Sequence, residues 1–177
     1  MRKALVLGFA MLVAVVAIDQ ATKAWALSSL TRGESIPVLG DFLQWTLVFN
    51  PGAAFSFFTD STIWLTILAI LAVIAVGVAL TRTRSVLWAV TLGAIGGGAA
   101  GNLIDRFAQD PGGGEGHVID FNYNGWFVGN VADIALVVGV IVVAILEFTG
   151  VPFKPVEPSL DEDAEAEVSA ASDDSNE

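Results

Sequence analysis

GGGAAGNLIDR (residues 96–106), HVIDF (117–121) and GNVAD (129–133) decide how this chain is read. Long apolar runs flank them on both sides. A carboxylate at membrane depth loses its hydration, so such groups persist only when they are paired, reach water or do chemistry. Asp105, Arg106, Asp120 and Asp133, with Asn102 and Asn130, can converge at one end of two neighbouring membrane helices. Asn102 and Asp105 are three apart and share a helix face, and Asn130 and Asp133 repeat that spacing on the next helix. Asp105 and Arg106 are adjacent and point in different directions, so they are not expected to pair. Asp120 sits in a short extended segment whose alternation can aim it at the helix mouth. Asp133 is expected about two turns inside the fourth helix, roughly 10 Å along its axis. Asn130 and the small Ala132 beside it are expected to leave space for a substrate or a water. The cluster reads as an active site, with Asp120 and Asp133 as its chemical pair.

The flanking composition supports a membrane setting. The chain has 177 residues, 54% hydrophobic and only 15% charged, where a soluble domain carries roughly 25% charged residues. Nine of the 19 acids fall in residues 157–177, which hold no Lys or Arg. The body therefore has ten acids against eight bases, so the net charge of −11 describes mainly the tail. A segment so acidic and so poor in large apolar residues is expected to be disordered and solvated. Residues 1–156 form the membrane domain in this reading.

Four spans are predicted, at about 4–27, 61–80, 86–104 and 126–148, each close to the roughly 20 residues that cross the hydrocarbon core. The first imitates a secretory signal, with Arg2 and Lys3 before an apolar run. It continues through DQATKAWAL without a helix breaker, however, and further spans follow, so an uncleaved helix is expected. Asp19 and Lys23 are four apart on it, in the orientation that favours an ion pair, and Lys23 can extend its stem toward the headgroups. Gly93, Gly97 and Gly101 recur every four residues on the third span, a pattern that lets helices touch backbone to backbone. Between the first two spans, DFLQWTLVFN (41–50) alternates as a strand does, and NPG (50–52) forms a turn. This composition suits a folded platform on the bilayer surface. The fold class is an all-α membrane protein of four transmembrane helices with a small β-containing platform outside the membrane.

Basic residues set the expected orientation. Arg2, Lys3, Arg82, Arg84 and Lys154 fall at the N-terminus, the 81–85 turn and the C-terminal flank. Positive-inside counting then places both termini and that turn in the cytoplasm, and acids contribute little to the bias. Asp19, Asn50, Asp105, Asp120 and Asp133 all fall toward the outer face as a consequence.

The residue inventory narrows the chemistry. With no Cys and a single His, His117, thiolate nucleophiles, disulfides and multi-histidine metal sites drop out. A serine hydrolase built on His117 lacks the G-x-S-x-G turn. A small ion-coupled carrier using Asp19 and Asp133 as proton sites lacks the internal repeat such carriers show. Two carboxyls held close titrate as a unit, with one keeping its proton. One can then take a proton from water while the other protonates a carbonyl oxygen or leaving nitrogen. That is amide hydrolysis without Cys, Ser or metal.

IDQATK (18–23), NPGAAFSF (50–57), GGAAGNLIDR (97–106), HVIDF and NVAD (130–133) together resemble the boxes of bacterial lipoprotein signal peptidase, also called signal peptidase II. They occur in that family's order, with fitting spacing, across all four spans. The resemblance implies an aspartyl endopeptidase that removes signal peptides from prolipoproteins, cutting before a diacylglyceryl-modified cysteine with an activated water and no cofactor or metal. Carried across, Asp120 and Asp133 are catalytic. Asp19, Lys23, Asn50, Gly52, Gly98, Asn102, Asp105, Arg106, Asn130 and Ala132 position substrate or hold the site. A platform of strands on the outer face maps to about 46–57. The resemblance also implies a multi-pass protein of the bacterial cytoplasmic (inner) membrane. Its expected partners are a lipid-modified prolipoprotein and membrane lipids, with no nucleic acid, and it is expected to be a monomer. The chain departs from the pattern at Gly129, where the family usually has an aromatic, and in the glycine-rich loop PGGGEG (111–116).

Overall fold

The computed structural model describes residues 2–40, 43–52, 62–123 and 127–154. Its four helices are α1 (Arg2–Ser29), α2 (Thr62–Arg82), α3 (Val86–Ala108) and α4 (Val131–Phe148). Its four strands are β1 (Ser35–Leu39), β2 (Leu43–Asn50), β3 (Val118–Tyr123) and β4 (Phe127–Gly129). All four helices are long and apolar enough to cross a membrane. Even α4, with 18 residues, is about 27 Å long at 1.5 Å per residue, near the hydrocarbon thickness. Leu68, Leu71 and Ile74 on α2 and Val137, Val138 and Ile141 on α4 are exposed, as side chains that meet lipid should be. The acidic stretch 157–177 and residues 53–57 of the expected platform lie outside the described residues.

α3 is the centre of the bundle, and its glycines explain why. Apolar side chains gain little from meeting each other in lipid, so close backbone packing must hold the helices. A Cβ at Gly93 would overlap the carbonyl oxygen of Gly8 on α1, and one at Gly97 would lie 2.7 Å from Leu12 O. One at Gly101 would lie 2.5 Å from Asp19 Oδ2. The expected ridge therefore seats α1. On other faces of α3, Gly96 meets Val76 of α2, and Gly98 comes under Ala132 and Leu136 of α4.

The strands form one antiparallel sheet in the order β1-β2-β3-β4. It lies in the chain at the end where α1 and α3 finish and α2 and α4 begin. Ala26 and Leu30 from α1 pack with Leu47, Ile119 and Phe121 of the sheet. Trp25, Trp45, Phe121, Tyr123 and Phe127 continue this contact as a chain of neighbouring rings. Among them, the amphipathic Trp and Tyr rings suit the headgroup level. At the opposite end, Trp88 Nε1 donates to Val151 O (2.9 Å) and Thr83 Oγ1 donates to Phe153 O (2.8 Å). These bonds dock the segment after α4 onto the α2–α3 turn.

Helix four begins later than expected. Phe127–Gly129 pairs with β3, and Asn130 caps α4 through a reciprocal box with Asp133. The helix starts at Val131, so Asp133 lies in its first turn instead of two turns inside. The apolar residues Phe127 and Val128 satisfy a strand as well as a helix, which is why the pattern alone extended the span.

Candidate active site

Each acid of the pair is aimed by the element that carries it. In β3 successive side chains face opposite ways. Ile119 and Phe121 enter the platform core, and Asp120 between them turns to the other face. Its register partner is Val48 of β2, and two positions further along β2 is Asn50. There Nδ2 of Asn50 donates to Asp120 Oδ2 at 2.6 Å, and its Oδ1 accepts from Gly52 N at 2.8 Å. That turn needs a glycine, because Gly52 has φ of +120°, a region that side chains rarely adopt. Asp133 is held as the N3 residue of α4: its Oδ2 accepts from Asn130 N at 3.1 Å. Its Oδ1 accepts from Asn102 Nδ2 on α3 at 2.8 Å.

Asn130, fully buried, joins the two acids. Its Oδ1 accepts from Asp133 N at 3.0 Å, while its Nδ2 donates to Asp120 Oδ1 at 2.6 Å and to Asn102 Oδ1 at 3.0 Å. Burial pushes the Asp120 carboxyl up to about 6 against the pull of the Asn50 amide, and the negative charge of Asp133 adds to the rise. Asn130 and Lys23 act in the opposite sense.

Behind the pair lies a buried ionic cluster. Lys23 Nζ is 2.8 Å from Asp19 Oδ2 and 2.7 Å from Asp105 Oδ2, and it donates to Asn102 Oδ1 at 3.1 Å. Lys23 is therefore turned inward and buried, not extended toward headgroups. Acceptors supplied by α3 decide its direction, and spacing along α1 cannot reveal them. Because an ammonium only donates, it claims the Asn102 oxygen and leaves the Asn102 amide nitrogen for Asp133. The expected Asp19–Lys23 ion pair is present.

Arg106 is buried, and its Nη1 donates to Gly116 O at 3.4 Å; among the described residues it forms no ion pair with Asp105. Ala132 does not open space. It is fully buried; a Cβ at Gly98 would lie 2.5 Å from its carbonyl oxygen, and one at Gly101 would lie 3.4 Å from its Cβ. Gly98 and Ala132 thus serve the α3–α4 contact. At Gly129, a Cβ would lie 2.5 Å from Phe127 Cζ, so the Phe127 ring covers the place where a side chain would stand. Two residues not singled out by sequence reading also belong here: Gln20, which bonds Asp19 and Asp105, and Thr66, which donates to Gly114 O. Gln20 lies inside the IDQATK box beside Asp19, but neighbours in a helix do not share a face.

Asp120 and Asp133 line one cleft of about 510 Å³, together with Asn50, Gly52, Asn102 and Arg106. The cleft continues along apolar side chains of α2 and α4, among them Leu65, Leu68, Ala72, Leu136 and Val137. It offers acids at one end and hydrocarbon along its length.

This combination defines a class: a membrane-embedded peptidase of the aspartic type. A family model described as signal peptidase (SPase) II matches residues 11–149. Similar curated proteins are named lipoprotein signal peptidase. One from Bifidobacterium longum (strain NCC 2705) is 45% identical over 140 residues, covering 79% of this chain and 77% of that one. Another, from Mycobacterium avium (strain 104), is 46% identical over 143 residues, covering 80% and 79%. Two solved structures are also similar, both described as a bacterial membrane enzyme determined by the in meso method, at 1.9 and 2.3 Å resolution. Each gives a TM-score of 0.67 at 29% identity, covering 78% of this chain and 90% of that chain in the first case, and 85% and 94% in the second. The chain belongs to the signal peptidase II family, whose members act as lipoprotein signal peptidases.

Proposed function

We propose that this peptidase cleaves the signal peptide from a prolipoprotein just before a diacylglyceryl-modified cysteine, with Asp120 and Asp133 as a catalytic dyad. A water between the carboxyls attacks the scissile carbonyl carbon and gives a proton to the ionised member. The protonated member donates to the carbonyl oxygen, forming a neutral tetrahedral diol. As the C–N bond breaks, a proton passes to the leaving nitrogen, the second hydroxyl proton returns to the dyad, and the carbonyl re-forms. The observation that carries this reading is that one buried residue, Asn130, bonds both carboxylates at the polar end of a single cleft. The apolar length of that cleft suits a signal segment and acyl chains delivered from the bilayer. The roles of Asp19, Lys23, Asn50, Gly52, Gly98, Asn102, Asp105, Arg106, Asn130 and Ala132 are to hold the dyad or position substrate.

The protein works in the bacterial cytoplasmic membrane with both termini inside and the sheet end outward, since Arg2, Lys3, Arg82 and Lys154 gather at the other end. The test is cleavage of a diacylglyceryl-modified precursor by purified Asp120→Asn, Asp133→Asn and Asp105→Asn proteins. The first two should be folded and inactive, whereas the third should lose mainly folded yield, because Asp105 bonds Lys23 and Ile119 N. Wild-type turnover by Asp133→Asn would rule out the dyad.

A further inference from the structure

The two acids of the proposed dyad share a feature of their backbones. The residue before Asp133 is Ala132, whose N–H donates to Asp19 Oδ1 at 3.0 Å. The residue before Asp120 is Ile119, whose N–H donates to Asp105 Oδ2 at 3.1 Å. Each catalytic acid thus follows a peptide N–H held by a buried carboxylate. One of those carboxylates comes from α1 and the other from α3. Their relative position therefore sets where α4 and β3 present the dyad.

Two groups tie these carboxylates together. Lys23 Nζ lies 2.8 Å from Asp19 and 2.7 Å from Asp105. Gln20 Nε2 lies 3.1 Å from Asp19 Oδ2, from Asp105 Oδ1 and from Gly101 O. Its two hydrogens are shared among three acceptors. Two buried acids with one lysine leave a net negative charge that drives the carboxylates apart. A neutral amide donor between them offsets that repulsion without adding charge. Lys23 has no further hydrogen to give, because its three go to Asp19, Asp105 and Asn102. The charged groups around this cluster are Asp19 and Lys23 of α1, Asp105 and Arg106 of α3, Asp120 of β3 and Asp133 of α4.

We infer that Gln20 is a positioning residue of the peptidase: with Lys23 it yokes Asp19 to Asp105, and through Ala132 and Ile119 this yoke sets the separation of the two catalytic carboxyls. The inference rests on the dyad reading above. Gln20 bonds Asp19, Gly101 and Asp105 and does not line the cleft that holds the dyad, so its loss should weaken turnover far more than binding. It should also change how strongly one acid feels the other. A wider separation lets Asp120 ionise more easily, because the negative charge of Asp133 is part of what holds its carboxyl up.

The experiment compares wild type with Gln20→Met, which keeps length and loses the donor, on a diacylglyceryl-modified precursor peptide in lipid vesicles. The expected result is a fall in kcat of at least about tenfold, KM within about twofold, and movement of the Asp120 limb of the pH–kcat profile toward acid. A residue that merely filled space would leave that limb in place. Gln20→Asn keeps the amide but shortens its reach, so it should reproduce both changes, and it carries the test if Gln20→Met does not fold. Asp120→Asn is run alongside. If Asp120→Asn is inactive while the Gln20 variants match wild type in kcat and in the limb, the positioning role is overturned alone. If Asp120→Asn is active, the dyad falls and the positioning role falls with it.

Discussion

Asn130 grips Asp120 from ten residues away: its side-chain amide donates to Asp120 Oδ1 at 2.6 Å, from within a residue that is fully buried. The same residue caps α4 and bonds Asp133 through its backbone N–H. Asn130→Asp keeps an oxygen for the cap but replaces the donor to Asp120 with a negative charge. It should lose at least about a hundredfold in kcat, and also stability, because it buries a second carboxyl against Asp120 with no donor between them. Asn130→Ala should lose activity and also roughly 1 kcal/mol of cap stability. Thermal midpoints in detergent and precursor cleavage, measured on both variants, check this.

Asp120 has a cost for the fold that its substitution should reveal. Its carboxyl titrates near 6 in the native state, from a reference value of 3.8. Between about pH 4 and 6 the native state holds a proton that the unfolded chain has released, so stability falls as pH rises through that window. Above pH 6 the penalty is complete, and at 1.36 kcal/mol per unit it amounts to roughly 3 kcal/mol. Asp120→Asn has no such proton to lose. Its stability relative to wild type should therefore rise by a few kcal/mol between pH 4 and pH 7.5, while cleavage is lost. Parallel melting curves across that range would show the two lines diverging, and parallel lines would contradict the burial argument.

Sequence reading reached the bundle because apolar length and glycine spacing are local properties that lipid makes decisive. The ridge at Gly93, Gly97 and Gly101 needed no partner to be seen, and HVIDF alternates plainly. Three features needed information from distant residues. The strand Phe127–Gly129 looked like the start of a helix until β3 was beside it. Lys23 turns inward because Asp105 and Asn102 stand on another helix. Gln20 acts on two acids 86 positions apart in the chain (Asp19 and Asp105), which no spacing rule connects. Of the candidate site residues, all but Gly98 and Ala132 either line the cleft or belong to the hydrogen-bonded cluster behind it; those two lie in the seam between α3 and α4, with Asp19 bonding Ala132 from its far side.

The glycine ridge makes a graded prediction. A methyl group at Gly93 would overlap the Gly8 carbonyl, so Gly93→Ala must push α1 away from α3. Overpacking of this kind costs roughly 1–3 kcal/mol. Gly101→Ala would bring a methyl to 2.5 Å of Asp19 Oδ2 and should disturb activity as well as stability, because Asp19 holds Ala132. Gly77 lies on the same kind of helix with nothing within 4 Å of an added Cβ. Gly77→Ala should leave activity unchanged and gain about 0.5–1 kcal/mol of helix stability. Equal behaviour of the three variants in melting and cleavage assays would deny that close contact is what these glycines supply.

Thr66 fastens α2, the helix that forms the other wall of the cleft, to the loop after α3. It is buried on α2, and its hydroxyl donates to the carbonyl of Gly114. The loop carrying Gly114 is itself fastened to the end of α3, since the N–H groups of Gly114 and Gly116 both reach Arg106 O at 3.0 Å. One hydroxyl therefore links α2 to the loop, and α2 contributes Leu65, Leu68 and Ala72 to the apolar length of the cleft. Thr66→Val keeps the shape and removes the donor, leaving a buried carbonyl unpaired at a cost of roughly 1–3 kcal/mol. Because the acids stand on β3 and α4, kcat should change little, while KM for a lipidated precursor should rise severalfold as α2 loosens. Thr66→Ser restores the donor with one methyl fewer and should recover most of the wild-type KM. If Thr66→Val keeps the wild-type KM while Thr66→Ser raises it, the hydroxyl does not hold this wall, and packing of the Thr66 methyl against Gly114 does so instead.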